Sequence, residues 1–288
     1  MAIEVPATLS ANCCKTPART EWLERLADRV QELEHRWSLR IHTPFSEGSC
    51  AWVAPVTLAS GGRAVLKLGM PHFENEHEAA GLRFWSGDAA VQILQEDDAA
   101  GAMLLEHCEP GTPLRALPEP EQDVVIANLL LRLWRSPAAP HPFRSLSALT
   151  QYWSDETLSQ EDHWPDAELV REGLKLMEEL PRSASRDVLL ATDLHAGNVL
   201  RCQREPWLAI DPKPFVGDAA FDITQHLFNC GARLLSDADS IIRRVAELTH
   251  LDEERVRLWT FARAAADPRP DWSRDSLRLA RVIANSLP

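Results

Sequence analysis

The 288-residue chain has no C-x-x-C pair, no internal repeat, no low-complexity tract, and no uninterrupted apolar run approaching the ~18 residues of a membrane span. It also lacks an excess of positive charge, with 30 Lys and Arg against 43 Asp and Glu and a formal net charge of −13. That balance argues against a protein that coats nucleic acid or an anionic membrane, and it is explained either by solubility alone or by a preference for cationic small molecules. The cysteines, Cys13, Cys14, Cys50, Cys108, Cys202 and Cys230, have no neighbouring His at metal-ligand spacing and read as reduced thiols. The opening MAIEVPATLSANCC has neither the basic start nor the apolar centre of a signal peptide, so a cytoplasmic protein is expected.

What is present is an ordinary globular composition, 45% hydrophobic and 25% charged, long enough for two domains. Residues 20–37 place Trp22, Leu26, Val30, Leu33 and Trp37 at spacings of three and four, an amphipathic helix. CAWVAPVTL and RAVLKL are β-rich runs joined across Ser60-Gly61-Gly62, a hairpin, and PHFENEHEAAGLRFW reads as a helix with Pro71 near its start. VQIL and AMLLE flank the turn QEDDAAG, and CEPGTPL then breaks the pattern. From there helical periodicity dominates, in residues 119–134, 165–180, 219–235, 237–251, 252–266 and 275–287. The expected class is α+β, with a small, mostly antiparallel sheet in a domain spanning 1–108 and a helical domain spanning 109–288.

One strand-rich island, LLATDLHAGNVLRCQREPWLAIDPKPF, interrupts the helices. It sets Asp193, Asn198 and Asp211 at the ends of short apolar runs, where strands give way to loops. Two carboxylates and an amide oxygen at this spacing suit phosphoryl transfer from a nucleotide: one carboxylate orients an attacking hydroxyl and accepts its proton, and the other two groups hold Mg²⁺. Such a reaction also needs a fixed cation for the donor phosphates. Lys67 is the candidate, with Glu74, Glu76 and Glu78 as possible acidic partners and Glu78 favoured because it precedes the apolar face Leu82–Trp85. His195 reads as a residue that orients its neighbours. Trp164, beside Glu161, Asp162 and Asp166, is either a solvated loop or a place to meet a cationic ligand.

The combination of AVLKL, EHEAAGLRFW, AMLLEHCEPGTPL, TDLHAGNVL and WLAIDPKPFVGDAAFD resembles the aminoglycoside phosphotransferases, specifically their streptomycin 6-kinase and hydroxyurea kinase branch. The resemblance runs from about residue 45 to residue 230. It implies a protein-kinase-like bilobal fold, with Asp193 as catalytic base, Asn198 and Asp211 as Mg²⁺ ligands, and Lys67 paired to Glu78 and to the phosphates of ATP. Residues 104–108, Glu106 and Cys108 among them, would form the hinge whose backbone reads adenine, and Asp218 and Asp222 would be structural, holding the catalytic loop. This sequence departs from protein kinases in having Ala191 where they place His, and DPK where they place D-F-G. Pro212 fixes φ, so an in-and-out flip of that loop is not expected. The region of the phosphate loop, FSEGSCAW, has only Gly48, leaving phosphate coverage to Ser46, Ser49 or the intervening amides.

The function implied is ATP- and Mg²⁺-dependent phosphorylation of a hydroxyl of an aminoglycoside, streptomycin first, conferring antibiotic resistance. The alternative keeps the reaction and changes the acceptor to hydroxyurea or another small metabolite. A nucleotide-binding pseudokinase would be marked by loss of Asp193, Asn198 or Asp211, and all three are present. A hydrolase built on Asp193 and His195 lacks a nucleophile motif such as G-x-S-x-G.

Overall fold

After a first helix, α1 (Ala7–Cys13), the single helix expected over residues 20–37 is two in the computed structural model, which describes residues 3–286: α2 (Pro17–Glu24) and α3 (Leu26–Arg36). Thr16 accepts from the Arg19 N–H and Pro17 occupies the first helical position, so α2 starts upstream of Thr20. Arg25, at φ −91° and ψ −6°, turns the chain between the two, yet Trp22, Leu26, Val30 and Leu33 all remain in one buried cluster.

The chain divides into two units, Met1–Gly111 with Arg201–Pro206, and Thr112–Leu200 with Trp207–Pro288. The first contains an antiparallel five-stranded sheet of order β1-β2-β3-β5-β4, built from β1 (Arg40–Ile41), β2 (Ala51–Thr57), β3 (Arg63–Gly69), β4 (Ile93–Asp97) and β5 (Ala102–Glu106). The β2–β3 hairpin closes from Thr57 opposite Arg63, with Gly61 at φ +85°, a conformation glycine takes without a Cβ penalty. Ala64, Leu66 and Leu68 point into the core, so Lys67 lies on the other face of the strand. The helix expected from Pro71 onward begins later, as α4 (Glu78–Trp85). His72 caps a short 3₁₀ turn at Phe73–Asn75, and a break at His77 precedes the α-helix.

The second unit carries α5 (Glu119–Leu133), α6 (Leu146–Leu158), α7 (Ala167–Glu179), β6 (Asp187–Leu190), β7 (Val199–Leu200), β8 (Leu208–Ala209), β9 (Phe215–Asp218), α8 (Ala219–Asn229), α9 (Gly231–Ser236), α10 (Ala238–Thr249), α11 (Glu253–Ala266) and α12 (Arg278–Ala284). Strands β6 and β9 pair antiparallel, as do β7 and β8. Three expectations change. Residues 146–158, not expected to be helical, form α6, capped by Ser145 accepting from the Ala148 N–H. The helix expected over 219–235 divides at Cys230, whose ψ of +34° leaves the helical basin. The last helix starts at Arg278 rather than 275, and Leu287 lies outside the described residues.

Helices α7 and α11 approach closely at Gly173, where an added Cβ would lie 2.7 Å from the Ala265 Cβ and 3.1 Å from the Ala262 carbonyl oxygen. Gly173→Val should therefore overpack this contact and lower the unfolding free energy by about 1–3 kcal/mol. An unchanged urea midpoint would show that the helices can separate without cost.

Candidate active site

A buried carboxylate organises the strand island. Asp222, in the first turn of α8 and fully buried, accepts hydrogen bonds from the Thr192 N–H at 2.6 Å, the Ala191 N–H at 3.0 Å and the Trp134 indole N–H at 3.0 Å. Thr192 sits at φ +49°, a conformation disfavoured for a β-branched residue and held here by those bonds. Its hydroxyl donates to the Lys213 carbonyl at 2.6 Å, and the Lys213 N–H donates to the Ala191 carbonyl at 2.8 Å. The loop after β6 and the loop after β8 are thus tied together. Burial pushes the Asp222 pKa up to about 6, although three donors favour the charged form. At neutral pH the group is ionised.

On this scaffold the Asp193 carboxylate is gripped from two sides. Oδ1 accepts from the Gln225 side-chain amide at 2.8 Å, and Oδ2 lies 3.0 Å from Lys213 Nζ. The Asn198 Nδ2 donates to the Asp193 carbonyl at 3.0 Å, which turns the amide oxygen to the opposite end. The Ile210 N–H donates to the Asn198 carbonyl at 2.9 Å, continuing the β7–β8 ladder in which Val199 faces Ala209. Asp211 follows one residue later at φ +54°. The hairpin therefore brings Asn198 and the Asp211 loop to one end, and its amide and carboxylate oxygens are the donor type a hard cation such as Mg²⁺ selects.

His195 braces the turn, its Nδ1 accepting from the Gly197 N–H at 3.0 Å, and burial pushes its pKa down. With Nε2 3.9 Å from Asp193 Oδ1, it is a neutral neighbour of the carboxylate. Asp218 does not reach the loop. Its Oδ1 caps α8 and its Oδ2 takes Arg255 and the Trp259 indole of α11, each at 2.6 Å. Asp123, His226 and Cys230 also converge, yet both Asp123 oxygens are occupied by Arg233 and one of them by Arg244 as well, which makes an ion-pair cluster rather than a metal centre.

In the first unit Lys67 Nζ donates to Glu78 Oε1 at 2.5 Å, with the two residues only 5% and 4% exposed. Of the three glutamates offered by the sequence, Glu78 is the one that opens α4. The Glu106 carboxylate receives Arg204 Nε and Nη2, each at 2.9 Å, and the Gln92 N–H at 3.1 Å, while its own N–H donates to the Gln92 carbonyl at 2.9 Å. Burial pushes the Cys108 thiol up to about 12, with Cys202 adding to the effect. The side chains of Glu106 and Cys108 are therefore embedded, and a ligand would meet this strand end through backbone groups. Ser49 donates to Cys50 Sγ at 3.6 Å and its carbonyl accepts from Asn12 at 2.9 Å. Two of the three acidic residues near Trp164 are partnered: Glu161 meets Arg171 at 2.5 Å, and Asp166 caps α7 and meets Arg281 at 3.1 Å. Trp164 itself packs against Trp272 with ring centroids 6.1 Å apart.

A small antiparallel sheet accompanied by helices α1–α4 and a larger, mainly helical unit define a protein-kinase-like bilobal fold. The choline kinase of Streptococcus pneumoniae shares it, with a TM-score of 0.62 at 11% identity, covering 91% of this chain and 98% of that one. The chain belongs to the aminoglycoside/hydroxyurea antibiotic resistance kinase family, whose sequence profile matches residues 36–270. It is 37% identical over 272 residues to a hydroxyurea phosphotransferase of Kitasatospora aureofaciens, spanning 91% of this chain and 78% of that protein. It is 36% identical over 252 residues to a streptomycin 6-kinase of Streptomyces griseus, spanning 84% and 81%. Its class is therefore phosphotransferase. Among the described residues no helix is long and apolar enough to cross a membrane.

The Asp222 network gives a signed expectation. Asp222→Asn offers one acceptor oxygen to three donors and leaves at least one buried N–H unsatisfied, costing about 1–3 kcal/mol in urea denaturation at neutral pH. A native pKa of about 6, above the unfolded value of 3.8, means that the wild type gains stability from this group as pH falls through 6 towards 4. The deficit of the Asn variant should therefore widen over that window by up to ~1.4 kcal/mol per pH unit. A deficit that narrows would show that the carboxylate's native pKa is not raised.

Proposed function

We propose that this protein transfers the γ-phosphoryl group of ATP to a hydroxyl of streptomycin, with Asp193 as the base, and so confers resistance. The observation that carries this reading is the Asp193 carboxylate fixed between Gln225 and Lys213, on the loop that also presents Asn198. Asp193 would accept the proton of the acceptor hydroxyl as its oxygen attacks the phosphorus and ADP leaves. Lys213 would serve as the counter-ion of that carboxylate before the acceptor arrives. Asn198 and Asp211 would hold Mg²⁺, which when bound offsets the negative charge on the donor phosphates. Lys67, kept straight by Glu78, would meet the non-transferred phosphates. Adenine would be read by the backbone at His107 and Cys108, since the Glu106 N–H is bonded to Gln92.

The formal charge of −13 fits a polycationic acceptor. Identity to a hydroxyurea phosphotransferase is as high as that to a streptomycin 6-kinase, so hydroxyurea is the competing acceptor. Purified protein with ATP and Mg²⁺ should give streptomycin one phosphoryl group by mass spectrometry, with hydroxyurea and kanamycin unmodified. Modified hydroxyurea beside untouched streptomycin would overturn the acceptor assignment. Asp193→Ala should lower turnover ~10²-fold or more while nucleotide binding by calorimetry stays as in the wild type. A variant that keeps more than about a tenth of wild-type turnover would remove Asp193 from the base role.

A further inference from the structure

We propose that Gln225, its amide locked in one orientation by Arg263, is the positioning residue that aims the Asp193 carboxylate at the acceptor hydroxyl. This rests on the base role proposed for Asp193 and adds to it two residues of the helical unit.

Gln225 lies on α8, three residues after Asp222, and its Nε2 donates to Asp193 Oδ1 at 2.8 Å. A glutamine amide can turn over and exchange its oxygen and nitrogen at little cost, so a lone Gln is a poor device for aiming a carboxylate. Here the turn is blocked. Arg263 on α11 donates through Nη2 to Gln225 Oε1 at 2.9 Å, and a guanidinium has no acceptor to offer the other end of the amide. With the oxygen fixed on Arg263, only the NH₂ end can face Asp193.

Arg263 is itself immobile for identifiable reasons. It is 4% exposed, Nη1 donates to the Thr224 hydroxyl at 2.8 Å, and Nε donates to Asp267 at 3.0 Å. Its guanidinium carbon lies 4.8 Å from the ring centroid of Phe221, 5.0 Å from that of Phe228 and 5.2 Å from that of Trp153. Three aromatic faces around one buried cation hold its plane as well as its position. Lys213, on the other carboxylate oxygen, cannot do this work. An ammonium is a point charge on a rotatable stem and fixes a distance without fixing the plane of its partner. The direction from which Asp193 Oδ1 is held is therefore set through Arg263 and Gln225.

A residue that only filled space at this position would tolerate any side chain of similar size, whereas the relay requires a hydrogen-bond donor facing Asp193. Gln225→Glu separates the two. It keeps the volume and the bond to Arg263, and it places a carboxylate oxygen against Asp193 Oδ1 in place of an N–H. Gln225→Met keeps the volume and offers neither donor nor charge.

The expected order of kcat is wild type above Met above Glu, with losses of ~10-fold and ~10²-fold and unchanged nucleotide affinity. Acceptor phosphorylation and ATP consumption, followed together, should uncouple in both variants, since a misaimed base lets water compete for the phosphoryl group. A Glu variant with wild-type kcat beside an inactive Asp193→Ala overturns the relay and leaves the base role standing. An active Asp193→Ala overturns both. Should the Glu variant fail to fold, the Met variant decides: wild-type kcat and coupling in it overturn the relay.

Discussion

The fully buried carboxylate of Asp222 is the constraint on which the loop geometry depends. Burying such a group is costly unless donors surround it, and three do: two consecutive backbone amides and an indole. The same bonds keep Thr192 in a left-handed conformation that it would leave if released. The direction in which Asp193 departs from the strand is thus fixed by an electrostatic demand arising on another element. Protein kinases place a His where this chain has Ala191. Here the backbone N–H of Ala191, rather than a side chain, meets the buried acid.

The two units handle buried charge differently. In the sheet unit a cation and an anion neutralise each other directly, Lys67 on Glu78, and nearly all of both is out of water. In the helical unit the buried carboxylates of Asp222 and Asp218 are met by neutral donors or by a delocalised guanidinium group. The direct pair fixes the position of the lysine against α4. The second arrangement produces rigidity with little to offer a ligand, which suits a scaffold. Each choice agrees with the role proposed for its residues.

The sequence made the sheet, its hairpin and most of the later helices legible, because alternation and helical spacing survive wherever one face is buried. Helix α6 escaped because TQYWSDET is polar and β-branched, and the signal that could have found it is the cap at Ser145. The break at Arg25 could not be read, since the apolar spacing runs through it unchanged. At the site, Asp193, Asn198, Asp211 and the favoured partner Glu78 were nameable from local order. Gln225, Arg263 and Trp134 were not: each bonds a residue 32 to 88 positions away in sequence, and nothing in a helix pattern marks a glutamine as facing a carboxylate. Lys213 was visible as an extra charge, but its bond to Asp193 depends on the tie between two loops.

The close approach at Gly173 has a consequence for how such a protein can change over generations. Helix α11 carries Arg255, Trp259 and Arg263, so its distance from α7 is tied to Asp218 and Gln225 as well as to packing. That distance cannot drift gradually, because the smallest substitution available to a glycine adds a whole Cβ against Ala265 and Ala266. Relatives that keep the helix pair at this spacing must either retain glycine there or enlarge it in step with a loss of side chain on the facing helix. Positions 173, 265 and 266 are thus constrained as a trio, since a gain of side chain at the first has to be met by a loss at the other two.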